Sequence, residues 1–455
     1  MSFPRYEKYK DSGVEWLGEV PAHWDAMPIK RLASLQSGES ITAESIEEEG
    51  DFPVYGGNGL RGYASEFTHE GEYALIGRQG ALCGNVNYAT GQFWASEHAV
   101  VVSPTRPLIM KWIGEVLRVM NLNQYSVSAA QPGLSVDMVS RLAIPVPPLS
   151  EQQGIATFLH HETAKIDALV EEQRLLIELL KEKRQAMISQ AVTKGLNSNV
   201  AMKDSEVTWV GRVPAHWELC PLRKAFTAMD YGISESLDGE GAVAVLRMGN
   251  IGGGKVSLQD LKYTDSVDPY LLLRAGDLLF NRTNSLDQIG KVGLFVSEGE
   301  GDISFASYLV RLRTSPSCVP EFFGFLLNSP GMLAEARANA IVAIGQCNLN
   351  PTRYGAFVVA IPSRYDQLRI AGYLKATCAK LDELTREAEA ARTLLHERRA
   401  ALISAAVTGK IDVRDSADLL TAWAETKADI AAGRFVTETA KAHVARARAM
   451  VKRDD

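Results

Sequence analysis

The 455-residue sequence is short of cysteine, of long apolar runs and of familiar catalytic signatures. Each shortage removes a class of protein. The five cysteines (Cys83, Cys220, Cys318, Cys347 and Cys378) are odd in number and scattered, with no CxxC or Cys/His ligand spacing. That excludes a disulfide framework and a zinc site. No run of about 18 apolar residues occurs, so no membrane span is predicted. The opening MSFPRYEKYKDSG is polar and lacks the apolar centre of a secretory signal. A reduced, cytoplasmic location is therefore expected. An excess of positive charge is missing too: 48 Lys and Arg against 55 Asp and Glu leave −7. This disfavours indiscriminate phosphate binding, although a local field can still attract a polyanion. At 23% charged and 46% hydrophobic, the composition is that of a soluble globular protein. The length admits two to four domains.

Catalytic motifs are equally scarce. No GxxxxGK[ST] loop is present to cradle a nucleotide phosphate. The paired motifs of an amino-methyltransferase are missing, since DPY at Asp268–Tyr270 lacks the second proline. A nuclease needs paired carboxylates with a lysine after a strand. The E-x-K of Glu425 and Lys427 instead lies in an Ala-rich stretch that reads as helix, where a surface ion pair is expected. His160 and His161 have no partner at metal-ligand spacing. No catalytic residue, metal ligand or bound cofactor is assigned to this chain.

What is there is a repeat. VPAHW occurs at Val20–Trp24 and again at Val213–Trp217. Around it DSGVEWLGEVPAHWDAMPIK, from Asp11, aligns with DSEVTWVGRVPAHWELCPLR, from Asp204, an offset of 193. A second block, from Ile144, aligns with the region ending at Ala390 at an offset of 215, pairing Pro147 with Pro362 and Asp167 with Asp382. The second copy is thus 22 residues longer between its matched ends, and the middles barely resemble each other. Such fixed-period similarity defines the organisation. The chain reads as motif, variable body and long helix, twice over. The limits are 1–148 for the arm and first body, 149–196 for a helix, 197–363 for the second body, 364–411 for a second helix and 412–455 for a helical tail. His23 and His216 have no acid or nucleophile nearby in sequence, so a packing role beside Trp24 and Trp217 is expected.

Ser150–Lys194 contains no proline, and Gly195 supplies a stop. At 1.5 Å per residue the rod spans roughly 65 Å. Heptad spacing runs through Ile166, Gln173, Leu180 and Met187, with Leu169 and Leu176 between them. The second helix gives Leu381, Ala388, Leu395 and Leu402, with Leu384 and Ala391 between. Narrow seams flanked by charge suit helix-on-helix pairing. The expected fold class is α+β: two α/β bodies, and two long helices forming an antiparallel coiled coil with a pseudo-two-fold internal repeat.

Each body carries polar loops punctuated by glycine. YGGNGLRGY (Tyr55–Tyr63) and GRQGALCGNVNY (Gly77–Tyr88) stand out in the first, RMGNIGGGK (Arg247–Lys255) and FNRTNSLDQIGK (Phe280–Lys291) in the second. Arg matches guanine edges, Asn and Gln match adenine edges, and Gly allows close backbone approach to phosphate. The candidate DNA-binding residues are Asn58, Arg61, Arg78, Gln79 and Asn85 in the first body. In the second they are Arg247, Asn250, Lys255, Arg282, Asn284 and Lys291. A plain turn-forming role stands as the alternative for each.

Taken together, GVEWLGEVPAHW, YGGNGLRGY, LIGRQGALCGNVNY, IPVPPLSEQQGIATFL, KIDALVEEQ and QAVTKGL resemble the specificity subunit of type I restriction-modification systems. VLRMGNI, AGDLLFNRTNS and IGKVGLF extend the resemblance, which covers about residues 10–411. The second helix departs from the pattern by starting IPSRYDQLRIAGYL where PPLxEQ is usual. The resemblance implies two target recognition domains, each reading half of a bipartite, asymmetric double-stranded DNA site. It implies helices that set the spacing and dock two modification subunits, which use S-adenosylmethionine to methylate adenine. Restriction subunits using ATP and Mg²⁺ would complete the complex, and this subunit would have no catalysis of its own. An orphan subunit directing methylation only, or a module of a fused restriction-methylation enzyme, are the alternatives. Counted over Trp24–Ser140 the first body holds 13 acidic and 7 basic residues; Trp217–Phe357 holds 15 and 12. Neither body is basic, so weak DNA binding by the isolated chain is expected, with phosphate contacts supplied by partners.

Overall fold

Alternating apolar residues build one sheet twice. The computed structural model describes residues 3–80, 82–126, 133–296, 301–343 and 345–414. The sequence-based expectation of a helical tail lies, from residue 415 onward, outside the described residues. The chain forms two units: residues up to 174 with those from 389 onward, and residues 175–388. In the first unit the strands are β1 (Ala33–Ser37), β2 (Phe52–Gly56), β3 (Gly59–Ala64), β4 (His69–Gly77), β5 (Val86–Ala95) and β6 (Ala99–Pro104). In the second they are β7 (Phe226–Tyr231), β8 (Ile251–Gly252), β9 (Lys255–Val256), β10 (Leu278–Asn281), β11 (Val292–Leu294) and β12 (Leu309–Thr314). The spatial order is β1-β6-β4-β5-β2-β3 in one and β7-β12-β10-β11-β9-β8 in the other.

The register repeats residue by residue. Ser37 faces Val100 and Tyr231 faces Val310. Ile76 faces both Val86 and Val100, as Phe280 faces both Val292 and Val310. Side chains alternate across each sheet. Ala74, Ile76, Val100 and Val102 enter the main core of the first unit with the helix Met110–Val119. Leu278, Phe280, Val310 and Leu312 do the same in the second, with the helix Pro320–Leu327. The opposite faces form smaller cores around Phe93 and Phe305. The edge hairpins differ: β2 is the inner strand of its pair, whereas β8, first in sequence, is the outer strand of the other. Gly38 and Gly232 mark the same place after β1 and β7. A Cβ would meet the carbonyl oxygen of Ala95 at 2.1 Å in one and that of Phe305 at 2.2 Å in the other.

The central helix (Leu149–Lys194) and the C-terminal helix (Arg364–Val407) each contribute a half to each unit. The predicted stop holds, with Gly195 at φ +76° directly after Lys194. In the first unit Asp167 pairs with Arg399 at 2.8 Å, and in the second Arg184 pairs with Asp382 at 3.2 Å. These are the same two repeat positions with partners exchanged, because Asp167/Asp382 and Arg184/Arg399 are both 215 apart. The pairing is antiparallel in each unit. Such exposed pairs add little stability, so their contribution is to register.

One expectation about the seam is corrected. Ile166, Leu180, Leu381, Ala388 and Leu402 are buried as predicted. Leu169, Leu176 and Leu384 are instead 44%, 42% and 47% exposed. The seam advances four residues and then three, through partly buried Val170 and buried Ile177, and through buried Cys378. Leu169–Val170 and Leu176–Ile177 are adjacent apolar pairs, and only the partner's position selects which member is covered.

The VPAHW motif sits where each body meets the helices. Trp24 is fully buried, and its Nε1 donates to Glu151 Oε2 at 2.9 Å. His23 Nε2 lies 2.6 Å from Glu151 Oε1, and the Tyr6 hydroxyl donates to Glu151 Oε2 at 3.0 Å. Gly409, at the end of the other helix, packs against the Trp24 ring. In the second unit Trp217 is buried against Gly195, and His216 lies 3.7 Å from Asp366. Asp366 occupies the repeat position of Glu151, one methylene shorter. Its backbone N–H donates to Ser363 Oγ, and Ser363 Oγ donates to its Oδ2, closing the first turn of the helix. The departure IPSRYDQL therefore exchanges a tryptophan contact for a cap. Asp366→Glu is expected to restore the Trp217 Nε1 bond, raising the second unit's stability by roughly 1 kcal/mol. Thermal unfolding checks it; a lowered midpoint would show that the lost cap dominates.

A second copied fastening was not foreseen. Gln152 Oε1 accepts from the Ile109 N–H at 3.1 Å and its Nε2 donates to the Pro147 carbonyl at 3.0 Å. Gln367 repeats this with Val319 at 2.8 Å and Pro362 at 2.9 Å. Ile109 and Val319 are the N-caps of the helices after β6 and β12. Each buried glutamine thus ties a long helix to its own body.

Candidate nucleic-acid interface

In the first unit the loop after β4 is held from both sides. The Arg78 N–H donates to the His98 carbonyl at 2.9 Å, and the Leu134 N–H donates to the Arg78 carbonyl at 2.9 Å. Arg78 Nη1 reaches Ser37 Oγ, at the end of β1, at 3.1 Å. Gly77, preceding it, has no room for a side chain, since a Cβ would lie 2.2 Å from the Gly57 carbonyl. Asn58, on the β2–β3 turn, accepts from Asn85 Nδ2 at 3.1 Å. Gln79 is exposed and bridges to Gly133. Of the predicted residues, Asn58, Arg78, Gln79 and Asn85 therefore gather at one end of this sheet. Arg61 is exposed on β3.

Beside them lies a polar cavity of about 350 Å³, lined by Cys83, Asn85, Asn87, Arg118, Asn121 and Asn123, among others. Arg118 is fixed there by Glu115 at 2.6 Å and by the Val86 carbonyl at 2.8 Å. Burial alone would raise the Glu115 carboxyl, but Arg118 and Lys111 outweigh it and hold the group below the usual carboxylate range. Burial pushes the Cys83 thiol up, so it is held in the unreactive thiol form.

The second unit copies the frame. The Arg282 N–H donates to the Tyr308 carbonyl at 3.2 Å, and the Leu349 N–H donates to the Arg282 carbonyl at 2.8 Å. The Arg282 guanidinium lies 5.0 Å from the Tyr231 ring centre, and Tyr231 occupies the register position of Ser37. Its Nη1 donates to the Ser307 carbonyl and its Nη2 to Asn348 Oδ1. Lys291 donates to Gln288 at 2.8 Å, and Asn284 Oδ1 accepts from the Ser285 N–H. Lys255 is exposed on β9.

Asn250 is corrected from reader to loop builder. It is 5% exposed, its Oδ1 accepts from the Arg247 N–H, and its Nδ2 donates to the Gln259 carbonyl. Arg247 is partly buried, with Nη2 on the Asp260 carbonyl at 3.0 Å. Neither is hydrogen-bonded to the Arg282 loop among the described residues.

Sequence reasoning missed Ser37, His98, Tyr231, Tyr308 and Asn348. Laying LIGR on LFNR, and ASEHAVVV on FASYLVRL, would have exposed the equivalence. The two-residue difference between the Arg78–Asn85 and Arg282–Lys291 loops obscured it. Among the described residues no group of His, Cys, Asp and Glu is arranged to hold a metal, and no helix is long and apolar enough to cross a membrane.

An α+β body joined to half of a helical pair, built twice in one chain with polar loops at one end of each sheet, defines a duplicated recognition scaffold. The family model described as type I restriction modification DNA specificity domain matches residues 21–179. The chain is 43% identical over 179 residues to the type I restriction enzyme EcoprrI specificity subunit of Escherichia coli. That match covers 38% of this chain and 44% of the relative, less than half its length. The EcoKI specificity subunit of Escherichia coli K12 is 24% identical across 88% of this chain and 85% of its own. Two solved structures share the fold. One, from work on complex assembly and conformational transition of the type I R-M system, aligns at TM-score 0.62 and 14% identity over 85% of this chain and 98% of its own. The HsdS subunit from Thermoanaerobacter tengcongensis aligns at 0.50 and 14% identity over 86% and 98%. By these matches the chain is similar to type I restriction-modification specificity subunits.

Proposed function

We propose that this chain supplies the DNA sequence specificity of a cytoplasmic type I restriction-modification complex. Each unit reads one half of a bipartite, asymmetric site, and the paired helices fix the distance between halves. Two modification subunits carrying S-adenosylmethionine dock on the helices, and restriction subunits using ATP and Mg²⁺ join them. The chain itself performs no catalysis and binds no cofactor. The observation that carries this reading is the arginine frame, built twice on one scaffold with different side chains around it. The net-acidic bodies favour shared work, because 13 acidic against 7 basic residues in the first leave few phosphate contacts to this chain.

Selection from randomised DNA duplexes tests the reading. The full chain with its modification subunits is expected to enrich a two-part motif with a fixed gap. The chain alone is expected to bind the same duplex at least ~1,000-fold more weakly, the lower end of the range separating specific from non-specific binding. Enrichment of a single unbroken motif would overturn the two-unit reading. Tight specific binding by the chain alone would overturn the shared-contact part.

A further inference from the structure

The two candidate sites agree in one cationic side chain and differ around it. Arg78 and Arg282 hold the same register position, directly after β4 and β10. Both donate a backbone N–H to the turn before a neighbouring strand of the sheet, β6 or β12, and accept one from a leucine, Leu134 or Leu349. Both guanidinium groups lie against the equivalent position of the first strand, Ser37 at 3.1 Å or Tyr231 at 5.0 Å. A group that is the same in kind and in frame at both sites cannot tell two different half-sites apart. It suits what both halves share, the phosphate backbone.

The residue supplying the carbonyl to each arginine is different. It is His98 in the first unit and Tyr308 in the second. The turn around it is the same, with the Ala99 N–H on the Ser96 carbonyl and the Leu309 N–H on the Ala306 carbonyl, both at 2.9 Å. The backbone of each is thereby fixed beside the arginine, and the side chain remains accessible. The His98 side chain is 43% exposed and, among the described residues, has only the neighbouring Glu97 on its ring, at 3.2 Å. Tyr308 is 46% exposed, and its hydroxyl bonds to no described residue. Several other positions that differ between the copies are engaged internally in at least one of them. Asn85 is bonded to Asn58, and its counterpart Lys291 to Gln288. Thr283, the counterpart of Gln79, is buried against Asn348.

We infer that His98 and Tyr308 determine which bases each unit accepts, whereas Arg78 and Arg282 anchor the backbone of either half-site. This rests on the DNA-reading function proposed above. An imidazole and a phenol differ in reach and in donor and acceptor geometry, so the same position on the same frame would select different base edges.

The test repeats the selection from randomised duplexes with the full chain and its modification subunits. His98→Tyr is expected to change the preferred bases in one half of the motif by ~10-fold in enrichment, leaving the other half untouched. Tyr308→His and Tyr308→Phe are expected to change the opposite half. Arg78→Lys and Arg282→Lys are expected to weaken binding evenly across sequences, with the motif unchanged. The inference is overturned if the motif survives His98→Tyr and Tyr308→His, or if either lysine variant changes base identity. Absence of any two-part motif with the unaltered chain would instead overturn the proposed function. Because His98 and Tyr308 are accessible, hydrogen exchange matching the unaltered chain is expected for their variants. A variant that unfolds is replaced by alanine at the same position, read by the same criterion.

Discussion

Trp24→Ala is expected to unfold the first unit while the second keeps its structure. The ring is fully buried, and large-to-small changes at such sites cost about 3–5 kcal/mol. A further cost comes from Glu151, whose side chain is 10% exposed and would lose a charge-assisted bond. Trp217→Ala leaves a similar cavity, but no described group loses a bond to its indole nitrogen. The first substitution should therefore exceed the second by roughly 1–2 kcal/mol. Trp24→Phe, which keeps most of the packing, should recover all but the hydrogen-bond part. Hydrogen exchange reports the units separately, which matters because a two-unit chain has no single unfolding free energy. Equal loss of protection in both units after Trp24→Ala would contradict this assignment.

The second large effect is expected at Arg311. Its side chain is fully buried on β12, with Nη2 on Asp230 Oδ2 at 2.6 Å and Nη1 on the Tyr270 carbonyl at 2.6 Å. Tyr270 and Phe305 lie within 6 Å of its guanidinium. Removing one member of such a pair leaves an uncompensated charge and costs about 3–5 kcal/mol. The first unit shows another solution, because its register places Val101 where Arg311 stands and Gln36 where Asp230 stands. Arg311→Val alone should therefore be severe, whereas Asp230→Gln with Arg311→Val should recover at least half of the loss. Urea denaturation of the two single variants and the double variant measures the coupling directly. A double variant as unstable as Arg311→Val would mean that the carbonyls of Tyr270 and Leu272, not Asp230, dominate the site.

Much of this molecule is legible in its sequence. The repeated VPAHW, the matching helical blocks and the proline-free stretch to Gly195 give the two-copy organisation, because each is a local pattern with a local cause. Arg78 and Arg282 are singled out by glycine-punctuated loops for the same reason. The candidate site residues are read less well. Asn250 has the composition of a reader and the burial of a brace, since its amide satisfies backbone groups on either side of a loop that closes only in three dimensions. His98 and Tyr308 sit in turns whose sequences differ, so nothing local marks them as equivalent.

The sequence by itself determined the duplication, the element types, and the absence of the GxxxxGK[ST] loop and of the paired amino-methyltransferase motifs. These depend on residue identity and short-range spacing. Tertiary structure decided which member of each adjacent apolar pair enters the helical seam, because Leu169 and Val170 are equally apolar and only a partner helix distinguishes them. It also decided that the dissimilar middles share one sheet register. Main-chain hydrogen bonds set that register and are indifferent to most side chains, which is why the scaffold stayed constant while the residues mounted on it diverged.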